Sequence, residues 1–420
     1  MTLQQSSPGP QLPDIDAVKQ AIAQRFPKLW PAIEAGMATA ATLLLSSNEN
    51  PATLIYLGGP SAGKTTAVEM FTKCRLCYRS DSFTTAAFVS HASNVQKSKL
   101  GSVDLLPRIK HKVLLTPELA PTFRGKEDEL TKRFTTLTTV LDGRGLTTDS
   151  GTHGQRGYTG DYLFAWLGGS TLFHDSVWRI MAQLGSRLFF YEMQEAGEVS
   201  VDDLLTAQQD TSYQQSLAEC REIVAGFFHS LFDYYEGVRK VQWSEANDPK
   251  EVLESIGFVA TLLARMRSEP ATESGSKWSG RQYQPASTEA PHRAFAMLRN
   301  LARAHALLHG RLYLCHEDLP VVAQVAVSTM PTNCRLIFKA LVGIRGHSLS
   351  VGQVQKVLGV AHRQTARTKM DDLARRNIVR FVKLGTGRRA VLRFTSQWKQ
   401  CATAQFREWL RIEPVKKRGV

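Results

Sequence analysis

The chain has 420 residues, 43% of them hydrophobic and 21% charged, with 52 Lys+Arg against 38 Asp+Glu and a formal net charge of +14. This composition excludes intrinsically disordered, collagen-like and mucin-like classes and suits a soluble protein of two or three domains. Six cysteines are too few for a disulfide framework. No apolar run approaches the roughly 20 residues that span a bilayer, and the N-terminus lacks the basic-then-apolar order of a secretory leader. The expectation is a cytoplasmic protein of a bacterial-type cytosol, with reduced thiols and no membrane partner.

Residues 1–13, rich in Pro, Ser and Gln, are expected to be disordered. From Asp14 the apolar positions Val18, Ile22, Phe26, Trp30 and Ile33 recur with a helical period that Pro27 and Pro31 must break or kink. Ala38–Leu45 reads as a second buried helix and Ala52–Leu57 as a short apolar strand. The strand runs into a glycine-rich turn and a helix from Lys64. Further buried strands are expected at Lys112–Leu115 and Tyr162–Leu167, with a helix over Glu127–Leu141 between them. Residues 14–195 therefore predict an α/β core around a mostly parallel sheet. Residues 196–331 turn helical (Val201–Val238, Lys250–Arg267, Arg293–His309) and predict a lid interrupted by a long polar loop at 268–290. A third unit, 332–398, is followed by a basic tail, 399–420.

The turn after the first strand reads Gly58-Gly59-Pro60-Ser61-Ala62-Gly63-Lys64-Thr65, followed by Thr66, and satisfies G-x-x-x-x-G-K-[ST] with a strand before it and a helix after. Such a turn cradles phosphates with backbone N–H groups, and glycine allows the close backbone approach. Lys64 would supply positive charge to the β/γ-phosphates, and the Thr65 hydroxyl would ligate Mg²⁺. ATP and Mg²⁺ are the expected cofactors. A chance match in a glycine-rich turn is the bland alternative.

Hydrolysis also needs a carboxylate at the end of a neighbouring strand. Lys112–Leu115 is followed by Thr116-Pro117-Glu118, so Glu118 is the candidate for activating water. Its plain alternative is a helix-start residue. Proline occupies the position where an aspartate would help hold magnesium, leaving Thr65, phosphates and waters, or a borrowed carboxylate such as Asp81. Ser170 or Thr171, after Tyr162–Leu167, would place a hydroxyl near the γ-phosphate. Arg187, in Gly185-Ser186-Arg187 before the strand-like Leu188–Tyr191, would project outward and reach a neighbour's nucleotide in a ring. Arg293, opening a helix after Pro291-His292, would act on the γ-phosphate of its own chain.

With GGPSAGKT, LLTPE, LGGST, GSR and EAPHR in this order, the chain from about Phe26 to Met330 resembles AAA+ ATPases. Within that superfamily it is most similar to the helicase-like group of minichromosome-maintenance proteins and the replication ATPases of phages and mobile elements. The resemblance implies a P-loop NTPase (AAA+) core with an α-helical lid, working as a homo-oligomeric ring such as a hexamer. It implies sensor 1 at Ser170 or Thr171, a trans arginine finger at Arg187 and sensor 2 at Arg293. Many relatives have Asn at the sensor 1 position and Asp where this chain has Pro117. The implied activity is ATP hydrolysis coupled to DNA, as a helicase, translocase or replication initiator. The alternative is a nucleotide-gated DNA-binding regulator or defence switch with little turnover.

Two further stretches point to DNA. Residues 143–161 carry six glycines among polar β-formers and predict a hairpin, with His153, Gln155 and Arg156 at its tip. In the group named above a hairpin here enters the ring channel; an exposed or partner-docking hairpin is the even alternative. From Thr332 to Val420 the chain holds 20 Lys+Arg against 4 Asp+Glu, while the rest is nearly neutral. This is the electrostatic pattern of a polyanion partner. Residues 332–398 predict a C-terminal winged helix: helices at Cys334–Gly343, Ser350–Leu358 and Val360–Asn377, then strands Ile378–Leu384 and Ala390–Phe394. The third helix would present His362, Arg363, Gln364, Arg367 and Lys369 to a major groove, and the wing Lys383, Arg388 and Arg389. A winged helix used for protein docking is the alternative. Cys74 and Cys77 form a single C-x-x-C with no second pair and predict no zinc or redox role.

Overall fold

The computed structural model describes residues 11–90, 99–151, 154–185, 187–194, 212–269, 272–274, 282–284, 289–383 and 390–414. His153, Arg388 and Arg389 lie outside these residues, as do residues 1–10 of the expected disordered N-terminus and most of the polar loop. The chain divides into two compact units. The first comprises Met1–Leu172, Arg187–Pro249 and Asn300–Asp318; the second comprises Phe173–Ser186, Lys250–Arg299 and Leu319–Val420. The helix Tyr213–Tyr234, expected in the lid, belongs to the first unit; the helix Lys250–Arg267 belongs to the second with the basic C-terminal residues, and the helix His292–Leu308 passes from the second unit into the first at Asn300.

The first unit is a mixed α/β fold on a five-stranded parallel sheet. Its strands are β1 (Ala52–Leu57), β2 (Cys77–Arg79), β3 (Val113–Thr116), β6 (Ala165–Ser170) and β7 (Phe190–Glu192), in spatial order β2-β3-β6-β1-β7. β1, β3 and β6 are near-continuous apolar runs because helices cover both faces of a parallel sheet. Leu54, Ile55, Leu57, Leu114, Leu115, Ala165 and Leu167 are fully buried. The helix Trp30–Ala41 lies close to β1 because Gly36 leaves room for Tyr56, whose hydroxyl donates to the Ala32 carbonyl at 3.1 Å. A Cβ at Gly36 would stand 2.2 Å from that hydroxyl oxygen.

Register brings the C-terminal ends of the three central strands to one level. Leu57 pairs with Ser170, and Thr116 with Gly168. Leu119 N–H donates to the Gly169 carbonyl at 2.7 Å, carrying the pairing past Pro117. The inserted hairpin is β4 (Gly145–Ser150) with β5 (Gly154–Thr159).

In the second unit, Thr332–Gly343, Val351–Leu358 and Arg363–Arg375 are helices, followed by an antiparallel pair, β10 (Val379–Lys383) and β11 (Ala390–Phe394). Two further short strands, β8 (Thr272–Ser274) and β9 (Gln282–Gln284), pair within the polar loop. Ser350 closes a capping box with Gln353, and Gly359 ends the same helix in the left-handed region (φ 63°). The third helix is shorter than the sequence suggested, starting after His362. The expected tail is instead packed structure as far as it is described. Trp398, Cys401, Phe406 and Trp409 are buried, and the Trp398 and Phe406 rings meet Phe258. Buried aromatics of this size dominate local packing, and their spacing was masked by the surrounding basic residues. No helix among the described residues is long and apolar enough to cross a membrane.

Candidate functional site

Gly58–Thr65 forms the loop between β1 and the helix Lys64–Glu69. Two of its residues, Ser61 (φ 60°) and Gly63 (φ 80°), take left-handed conformations, a backbone pattern that turns successive N–H groups toward one concavity. Gly63 also lies against Leu29: a Cβ there would come 2.8 Å from Leu29 Cδ2. Lys64 Nζ donates to the Gly58 carbonyl at 3.0 Å and to the Gly59 carbonyl at 2.5 Å, so the ammonium lies over the loop. Burial pulls the Lys64 ammonium below its ordinary range, and the Glu118 carboxylate partly opposes that shift. Thr65 is exposed beside it.

The neighbouring strand ends supply the rest. Glu118 is exposed two residues beyond β3, and its Oε1 accepts from Ala120 N–H at 3.0 Å, which orients the carboxylate and ties it to the next turn. Ser170 ends β6, between β1 and β3. Its carbonyl accepts from Gly58 N–H at 3.3 Å, and its buried hydroxyl donates to the Thr171 carbonyl at 3.1 Å. Thr171 is half-buried just beyond. Gly169 permits this convergence: a Cβ there would lie 2.5 Å from the Pro117 carbonyl oxygen and 3.5 Å from Lys64 Cβ. Lys64, Glu118 and Ser170 thus gather at one end of the sheet, the usual place for a ligand on an open α/β fold.

A cleft of about 570 Å³ opens on the loop, within the range of small-molecule sites. Its far wall was not anticipated. Phe26, Pro27 and Leu29 from the N-terminal segment, Tyr213 and Gln194 line it together with Ser61–Thr66. The Phe26 and Tyr213 rings meet edge-to-face at 5.6 Å, and the Tyr213 hydroxyl shares a 3.1 Å hydrogen bond with Thr66. The break that Pro27 and Pro31 impose on the helical period was the available signal, since a bend there exposes Phe26 and Leu29 to the cleft.

Other assigned residues are placed differently. Arg187 does not project outward. Its guanidinium grips Asp142 with two parallel bonds, Nε–Oδ1 at 2.9 Å and Nη2–Oδ2 at 3.1 Å, and its side chain is only 8% exposed. A planar fork satisfied by a carboxylate has strong reason to stay inside. Asp81, the alternative carboxylate, pairs with Arg79 at 2.8 Å on the surface. Arg156 is not at the hairpin tip. It pairs with Thr148 in the β4–β5 ladder and is half-buried, its Nη1 donating to the Ser90 carbonyl at 3.4 Å. Tyr158, on the same face, donates to Asp104 at 2.8 Å. Strand alternation puts Gln155 outward and Arg156 inward, a distinction invisible without the register. Arg293 is exposed at the second position of the helix His292–Leu308, in the second unit.

On the basic module, His362, Arg363 and Gln364 are exposed at the start of the third helix. Arg367 lies flat over the Phe381 ring at 3.8 Å and pairs with Asp371 at 3.3 Å. Lys369 is turned away: its ammonium binds Asp175 at 2.8 Å, beside Asn333, which donates to the same carboxylate. Lys383 is exposed at the end of β10. Two arginines were overlooked. Arg380 and Arg393 are directly opposed across β10 and β11, both exposed, with no carboxylate partner among the described residues. Like charges placed opposite each other cost stability unless an anion joins them.

No family model and no curated protein matches this chain. Among solved structures it is similar to two of the C-terminal region of NrS-1, each an A-form apo structure. One is 12% identical with a TM-score of 0.30, covering 94% of this chain and 80% of that one. The other is 11% identical with a TM-score of 0.27, covering 93% of this chain and 77% of that one. At that degree of superposition the likeness transfers neither fold nor activity.

Proposed function

We propose that the chain is an AAA+ P-loop ATPase that couples ATP, taken with Mg²⁺, to DNA, as an oligomeric helicase, translocase or replication initiator of a phage or mobile element. The observation that carries this reading is the convergence of Lys64, Glu118 and Ser170 around the Gly58–Thr65 loop at one end of a parallel sheet. The residues suit the ligand. A triphosphate would replace the Gly58 and Gly59 carbonyls as the partner of Lys64, Thr65 would reach magnesium, and Glu118 would orient the attacking water. The wall of Phe26, Pro27 and Leu29 offers an apolar face for a purine ring. The exposed Arg363, Gln364, Lys383, Arg380 and Arg393 supply phosphate contacts and donors able to read base edges.

A second reading, a nucleotide-gated DNA-binding switch with little turnover, is favoured by Pro117 at the β3 end and by the pairing of Arg187 with Asp142. The test is phosphate release from the full chain with and without duplex DNA, alongside its size with and without ATP and a strand-displacement assay. DNA-stimulated release, ATP-dependent assembly and unwinding fit the motor. Tight ATP binding and ATP-dependent duplex binding without release or unwinding fit the switch. No nucleotide affinity sinks both.

A further inference from the structure

A cluster away from the phosphate loop, but within the same unit, has the makings of a metal centre. We propose that Glu34, His305 and His309 bind one divalent transition-metal ion of the Zn²⁺ type, tying the helix Trp30–Ala41 to the C-terminal end of the helix His292–Leu308. One ligand atom from each lies within 4.8 Å of the others, and His305 Nε2 is 3.7 Å from Glu34 Oε1. Ligand atoms around tetrahedral zinc stand roughly 3.4 Å apart, given metal–ligand bonds of about 2.0–2.1 Å. The side chains need to close by only fractions of an ångström to a little over one.

The support behind His305 is already in place. His305 Nδ1 is 2.7 Å from Asp318 Oδ1, which holds Nε2 toward Glu34 and His309. A carboxylate behind an imidazole, fixing its tautomer and orientation, is the standard support for a metal-binding histidine. Asp318 is itself held by Arg311, through bonds of 2.8 and 2.9 Å, and by Cys315 N–H at 2.9 Å. His309 gives the independent indication. Half-buried, with its ring centroid 4.8 Å from that of His305, it makes no side-chain hydrogen bond among the described residues.

A Glu34–His305–Asp318 ion-pair chain alone would account for His305 but leave His309 unexplained. Two imidazole nitrogens and one carboxylate oxygen suit zinc, cobalt or nickel, whereas calcium and magnesium prefer oxygen throughout. On binding, the metal takes His305 Nε2, any proton there leaves to solvent, and a water completes the set. Glu34 lies one turn into a helix that begins directly after Leu29, the residue packed on Gly63. The ion would therefore brace one wall of the cleft, whether or not a nucleotide occupies it.

The test is titration of the full chain, stripped with EDTA and desalted, with Co²⁺, followed by visible absorption and calorimetry. The expected result is one equivalent per chain with d–d bands and no thiolate-to-cobalt charge transfer. Glu34→Gln and His309→Ala, each with unchanged far-ultraviolet circular dichroism, should weaken binding at least about tenfold. Zn²⁺ should raise the parent's unfolding midpoint but not that of a folded variant. No cobalt uptake, a thiolate band pointing to Cys74 and Cys77, or affinity indifferent to both substitutions would overturn the proposal.

Discussion

The Gly58–Thr65 loop and the basic C-terminal module are built on opposite principles. The loop works by close approach. Gly63 brings Leu29, and Gly169 the Pro117 carbonyl, so near that a methyl group would collide. Its basic side chain, Lys64, lies over the Gly58 and Gly59 carbonyls. The module works by accumulation, with Arg363, Gln364, Arg380, Lys383 and Arg393 standing in solvent and no close packing required of them. Geometry-dependent sites should fail abruptly on a small substitution, whereas charge-dependent surfaces should fail by degrees and in step with salt.

The largest expected effect is Lys64→Ala, which should lower ATP turnover by about 10²–10³-fold, the usual cost of one electrostatic stabiliser of a reacting group. Phosphate release at saturating ATP checks it. Gly169→Ala should destabilise the first unit by about 1–3 kcal/mol, since the added Cβ meets backbone rather than a movable side chain. Chemical denaturation would measure that loss, and a neutral result would mean the strand ends are looser than described.

Arg187→Ala probes a side chain buried beside the sheet. If the guanidinium serves Asp142, thermal stability should fall by about 1–3 kcal/mol, toward the lower end because Asp142 is partly exposed. Loss of turnover in the assembled protein with an unchanged unfolding midpoint would instead restore a role toward a neighbour.

On the module the effects are smaller. Arg363→Ala should weaken duplex binding by about 1–3 kcal/mol, and Lys369→Ala by much less, because Asp175 already occupies Lys369. Electrophoretic mobility shift at fixed salt compares them. Removing Arg380 and Arg393 together should flatten the salt dependence by about one unit of slope per arginine. Stability should be unchanged or slightly higher as the opposed charges are relieved.

Legibility in the sequence followed the same divide. The Gly58–Thr65 loop was readable because its determinants are contiguous, and the helices and strands after Thr332 because capping and alternation are local signals. Ser350, Gly359 and the β10–β11 alternation are local features of that kind. The far wall of the cleft was not readable, since Phe26, Leu29 and Tyr213 meet only through the tertiary fold. Arg187 was assigned outward from its corner before a strand and its order among the motifs, and Arg156 to the tip of the hairpin. Their actual partners, Asp142 and Ser90, are distant in sequence and adjacent only across the folded sheet and its hairpin. Glu34, His305 and His309 escaped notice for the same reason. His305 sits near the end, and His309 just past the end, of a helix whose Ala-rich pattern reads as plain core.

Equilibrium binding of ATP with magnesium to the full chain, set beside Lys64→Ala under identical conditions, decides whether the Gly58–Thr65 loop holds a triphosphate. Saturable binding in the parent that weakens by about two orders of magnitude in the variant is the predicted result. No binding to the parent, or equal binding to both, would contradict the assignment of the loop as a triphosphate site.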